Sequence, residues 1–90
     1  SPEALDALGW GYIQVGQLSK GESFLLRSLA NGETSLAHLH LAQLVMMQKD
    51  YEKALGHLRI AEELSKDQNT LDRINALKDD IRKTQVSTGQ

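Results

Sequence analysis

The chain has 90 residues, of which 40% are hydrophobic, 24% charged and 4% aromatic, enough for one small domain. Ten Lys and Arg against 12 Asp and Glu leave a net charge of -2, which argues against a nucleic-acid module with its basic stripe and gives no polybasic membrane signal. With no cysteine there is neither a disulfide scaffold nor a thiolate metal site, and no apolar run nears the ~18 residues of a membrane-spanning helix.

Leu, Ala, Gln, Glu and Lys dominate and Pro2 is the single proline, a composition that favours helix throughout. The chain opens at once on a helix start, Ser1-Pro2-Glu3-Ala4, and reads as a fragment of a longer protein. Five helices are predicted. The first covers 2–15, with Ser1 as N-cap and Pro2 at the first helical position. Leu5, Leu8, Tyr12 and Val15 form its apolar stripe, and Gly16 stops it. The second covers 19–30, where Ser19 and Glu22 have capping-box spacing. Leu18, Leu25 and Leu29 face inward, and Asn31-Gly32 ends the segment.

The third helix covers 35–48 behind a Thr34/Ser35 cap. Leu41, Val45 and Gln48 share one face, and Leu36, Leu39, Gln43 and Met46 a neighbouring one. A helix apolar on two faces needs neighbours on both sides. Asp50 caps the fourth, 51–65, whose stripe is Tyr51, Ala54, Leu55, Leu58, Ala61 and Leu64. The fifth covers 70–84 with Asn69 as N-cap and Leu71, Ile74, Leu77 and Ile81 facing inward. Its Asp79 and Lys83 are placed for an i,i+4 ion pair. Residues 86–90 read as a disordered tail.

The sequence repeats at 33 residues. Ala4 falls on Ala37, Leu8 on Leu41, Lys20 on Lys53 and Leu25 on Leu58, and the apolar positions agree along the whole unit. Paired helices at such a period mark an α-solenoid. Leu5-x-x-Leu8-Gly9-x-x-Tyr12 followed by Gly21-x-x-x-Leu25, and His38-x-x-Leu41-Ala42-x-x-Val45 followed by Ala54-x-x-x-Leu58, resemble the tetratricopeptide repeat. The segment Lys49-Asp50-Tyr51-Glu52-Lys53-Ala54-Leu55 is similar to that family's turn into its second helix. The usual first-helix Trp is replaced by Leu5 and His38, and the closing Pro is missing from both copies. The small residues Gly9, Ala42, Gly21 and Ala54 let the paired helices approach.

The resemblance implies an all-α, right-handed α-α superhelix. Residues 1–33 and 34–66 would be two helix-turn-helix repeats, and 67–85 a capping helix. Helix five sits where a third repeat would begin, but Asn75 and Lys78 replace the apolar Ala42 and Val45, as a capping helix requires. The first repeat has no cap before it.

Little points to chemistry. His38 and His40 are two apart and diverge on a helix, and no carboxylate stands three or four residues from any histidine. Glu62-Glu63 and Asp79-Asp80 are adjacent on helices and also diverge. Gly9-Trp10-Gly11 lies inside a helix and lacks the Lys-Ser/Thr of a phosphate loop. The chain therefore reads as a non-enzyme with no cofactor and no metal.

The resemblance further implies a groove that binds a protein or peptide partner. Carried over position by position, it takes Glu3, Asp6, Trp10, Ile13 and Gln14 from the first repeat, and Leu36, Leu39, His40, Gln43, Met46 and Met47 from the second. Helix five adds Asp72, Arg73, Ala76 and Asp80 at the edge. Trp10, Ile13, Leu39 and Met46 are the expected anchors, since aromatic and Met side chains suit adaptable interfaces. Trp10 reads equally as core, as do Met46 and Met47. The family's Lys/Asn clamp for acidic chaperone tails is replaced by Asp6, Trp10 and His40, so no such tail is expected to bind. Neither nucleic acid nor membrane insertion is expected. The alternative is a structural segment that self-associates, as a homodimer through the uncapped N-terminal repeat.

Overall fold

The structure, a computed structural model, describes residues 1–88, with side chains through Val86. All regular structure among the described residues is helical: α1 (Pro2–Gln14), α2 (Leu18–Asn31), α3 (Ser35–Met47), α4 (Tyr51–Leu64) and α5 (Gln68–Thr88). Consecutive helices pair as antiparallel hairpins. In the first, the Ser28 hydroxyl of α2 donates to the Pro2 carbonyl of α1 at 2.6 Å. In the second, the Ser35 hydroxyl of α3 donates to the Ala61 carbonyl near the end of α4 at 2.7 Å. Pro2 and Ser35 are 33 residues apart, as are Ser28 and Ala61. The same junction is bridged twice, with the serine on opposite sides.

The helix caps follow from local chemistry. The Ser1 hydroxyl accepts the Ala4 N–H, Thr34 the Ala37 N–H and Asp50 the Lys53 N–H, each satisfying an otherwise orphaned donor. The expected Ser19/Glu22 capping box does not form. α2 begins at Leu18 with Gln17 as N-cap and no side-chain cap bond, because the turn that closes α1 delivers the chain to α2 by Gln17. α5 also starts earlier than expected. Asp67, not Asn69, caps it by accepting the Thr70 N–H at 2.7 Å. It runs on to Thr88, so the tail expected from residue 86 is helical as far as described, and 89–90 lie outside the described residues.

α3 is the central helix and is buried on both sides. Towards the first hairpin, Leu41 and Leu44 pack with Ile13 and Leu25. Towards α4 and α5, Leu39, Ala42 and Val45 pack with Ala54, Leu58, Ala61, Ile74 and Ile81. The two clusters lie on neighbouring faces of this one helix. Gly9 and Gly21 set the tightest approach: a Cβ on Gly9 would lie 2.8 Å from the Gly21 carbonyl oxygen, and one on Gly21 2.7 Å from that of Gly9. This approach also corrects the expected face of α1. Asp6, Gly9 and Ile13 are buried, while Leu8 and Val15 are 45% and 71% exposed.

Candidate functional site

The expected groove residues fall into two sets. Ile13 and Leu39 are core residues, 1% and 0% exposed, and no partner reaches them as anchors. α1 turns Ile13 towards Gly21 and Leu25, and α3 turns Leu39 towards α4 and α5. His40 is buried too. Trp10, Gln43 and Met46 are half-buried, and Gln14 and Met47 exposed. Trp10, Gln43, Met46 and Met47 meet Leu77 of α5 around an open cavity of about 320 Å³. The buried Oε1 of Gln43 has no hydrogen-bond partner among the described residues. Leu77 packs against the core as its spacing predicts, and the position of α5 beside α3 also brings it to the cavity.

Trp10 is held by a small polar stack. Its indole lies on the His40 ring, with centroids 4.4 Å apart and planes 8° from parallel. One turn earlier on α1, Asp6 accepts a hydrogen bond from His40 Nδ1 at 2.7 Å. A carboxylate only accepts, so His40 carries its proton on Nδ1. Asp6 and His40 are each about 6% exposed at the side chain, 6% and 7%, and join the first hairpin to the second. The pair fixes the imidazole, and the imidazole fixes the indole.

A second polar chain lies on α3. His38 Nε2 donates to Glu33 Oε1 at 2.6 Å, and His38 Nδ1 faces His57 Nδ1 of α4 at 3.1 Å. With the Nε2 proton committed to Glu33, His38 Nδ1 accepts and His57 Nδ1 donates. Burial pushes the His57 pKa down, and His38 and Lys53 beside it add to that shift. These partners lie 5, 19 and 34 residues apart in sequence, outside the helical spacings from which ligands are read. Among the described residues no group of three or more His, Cys, Asp or Glu side chains could hold a metal ion.

A crevice of about 450 Å³ opens at the N-terminal ends of α1, α3 and α5, with Ala7, Leu36 and Leu64 as its apolar lining and Glu3, Asp6, Glu33, Asp67 and Lys66 around it. Three of its four carboxylates have structural partners: Asp6 bonds His40, Glu33 bonds His38, and Asp67 caps α5. Two bonds from Thr70, to the Asp67 carboxylate from its N–H and its hydroxyl, hold Asp67 below the usual carboxylate range. The charge in the crevice is thus used to build the helix ends, whereas the smaller cavity exposes side chains with no such task. No helix of the described residues is long and apolar enough to cross a membrane. Compared with models of protein families, with curated proteins and with solved structures, the chain matches none.

Proposed function

We propose that the chain is a protein-interaction module of tetratricopeptide type, two repeats and a capping helix, that holds an apolar peptide or partner helix between α1, α3 and α5 as part of a larger scaffold. The observation that carries this reading is the cavity lined by Trp10, Gln43, Met46, Met47 and Leu77. Its walls come from three helices, its lining is largely apolar, and its one aromatic is oriented by Asp6 and His40. The 33-residue correspondence of caps and serine bridges supports the repeat assignment.

The mechanism is preorganisation. Trp10 is already stacked before a ligand arrives, so binding costs little ordering of that side chain. Met46 and Met47 adapt to the shape of the incoming residue. Partner apolar side chains enter the cavity, and Gln14 with the α5 residues Arg73 and Asp80 forms the polar rim. The module acts by binding, not catalysis, and takes neither nucleic acid nor a lipid bilayer as its partner.

Selection of a random displayed peptide library on the immobilised chain tests the reading. Amphipathic sequences with large apolar residues should be enriched, and Met47→Glu should abolish their capture. Enrichment that ignores Met47→Glu, or none at all, refutes it. An acidic chaperone-tail peptide should show no binding at micromolar concentration, since Asp6, Trp10 and His40 occupy the clamp positions. The second reading, self-association through the first repeat, draws on the exposed Leu8 and Val15 of α1.

A further inference from the structure

The crevice of about 450 Å³ and the smaller cavity lie along the same three helices, α1, α3 and α5. On α1 the step from Asp6 in the crevice to Trp10 in the cavity is one turn, about 6 Å. On α3 the step from Leu36 to Gln43, and on α5 that from Thr70 to Leu77, is seven residues, about 10 Å. A segment seated between these helices meets both. Its path is apolar at one end and acidic at the other.

Building the helix ends leaves part of the crevice's charge unused. Glu3, Asp6, Glu33 and Asp67 stand against a single ammonium, that of Lys66, and the three helix N-termini offset about half a charge each. His40 takes one oxygen of Asp6, Oδ1, and His38 takes one oxygen of Glu33, Oε1. Among the described residues Asp6 Oδ2, Glu33 Oε2 and the whole Glu3 carboxylate have no hydrogen-bond or ion-pair partner. Asp6 is the decisive one. Its side chain is 6% exposed, yet Oδ2 keeps some contact with solvent, and the crevice is the cavity onto which Asp6 opens. A carboxylate oxygen nearly removed from water and left without a donor calls for one from a ligand.

We infer that the crevice is a second subsite of the groove and takes an arginine side chain of the bound segment. A guanidinium holds its donors in a fixed fork and is weakly enough hydrated to enter an enclosed site. It can bridge Asp6 Oδ2 and the Glu3 carboxylate, three residues earlier on the same face of α1. Its aliphatic stem lies on Leu36 and Leu64, the apolar wall of the crevice. The partner is therefore a segment with a large apolar residue in the cavity and an arginine about 10 Å away, about three residues on in an extended chain or seven in a helix. This assignment rests on the groove proposed between α1, α3 and α5 and names the chemistry of its occupant.

Titration of the 90-residue chain with N-acetyl-arginine amide, followed by heteronuclear NMR, tests the subsite by itself. Saturable shifts are expected at the amides of Glu3, Leu36 and Thr70, with a dissociation constant on the order of millimolar, and none with the neutral citrulline analogue. Glu3→Lys should weaken binding about tenfold. Glu3 is exposed in the first turn of α1, so the variant keeps the fold. Signals that stay unmoved, or citrulline binding as well as arginine, overturn the inference. Peptides enriched by display should carry an arginine at this spacing, and its replacement by citrulline should cost about tenfold in affinity. Capture that requires Met47 but ignores the arginine overturns the inference and leaves the groove standing. Arginine binding in the crevice with no peptide captured refutes the groove and keeps the crevice as a guanidinium site.

Discussion

Gly16 and Lys49 stand 33 residues apart and close α1 and α3 with the same left-handed turn, at φ +89° and +65°. In the first, the Gly16 N–H donates to the Ile13 carbonyl at 3.0 Å and the Gln17 N–H to that of Tyr12 at 2.9 Å. In the second, Lys49 donates to Met46 and Asp50 to Val45, both at 2.9 Å. These are the paired bonds of a Schellman closure. Glycine takes this conformation without a Cβ penalty, and lysine does not.

Lys49→Gly should therefore stabilise the chain by about 0.5–1 kcal/mol. The side chain of Lys49 is exposed, so little else is lost. Urea denaturation would show a higher midpoint at unchanged slope, and a lower midpoint would contradict the strain.

The residues that follow these turns, Gln17 and Asp50, correspond in the same way. Their backbones nearly coincide, at φ -91°, ψ 75° and φ -94°, ψ 80°, yet only Asp50 caps its helix with a side chain. Gln17→Asp should supply the missing bond to α2, worth about 1 kcal/mol. Thermal unfolding should show a rise, and Gln17→Asn a similar one, since the amide oxygen accepts as the carboxylate does.

Gly21→Ala should destabilise by about 1–3 kcal/mol, because the added methyl has to push apart the backbones of α1 and α2. Its counterpart Ala54 is already fully buried with a methyl, so the second hairpin has the space that the first lacks. A chevron or equilibrium unfolding curve measures the loss; a neutral Gly21→Ala would contradict the close approach.

The pH dependence has a defined sign. His57 has a folded-state pKa below its ordinary 6.5, so near and below that pH the unfolded chain binds more protons than the folded one. Stability is full above about pH 6.5 and falls as pH drops. Asp67, held below its ordinary 3.8, acts in the same direction at lower pH: its contribution is present above that value and is lost as the carboxylate protonates. Tm should fall between pH 7.5 and 5.5, and His57→Gln should flatten that part of the curve.

The helices and the two-sided burial of α3 were legible because each rests on local spacing. Leu41 and Leu39 lie on neighbouring faces of one helix, and the structure packs them into different clusters. The buried side of α1 was not legible. Leu5, Leu8, Tyr12 and Val15 make the stronger apolar stripe, but the Gly9–Gly21 approach turns Asp6, Gly9 and Ile13 inward instead. Asp6 is buried only because His40, 34 residues away, offers it a donor, and no single-helix pattern carries that pairing. Of the residues that line the cavity, Trp10, Gln43, Met46 and Met47 were readable from helix register. Leu77 was not, since its place depends on where α5 crosses α3.

Trp10 emission during titration with a peptide obtained by display selection tests the groove most directly. With Trp10 as the chain's one tryptophan, any change reports the cavity wall. The account predicts a saturable blue shift as peptide replaces water against the indole, lost in Met47→Glu. Saturable binding by another readout with Trp10 emission unmoved would place the partner elsewhere and contradict the groove.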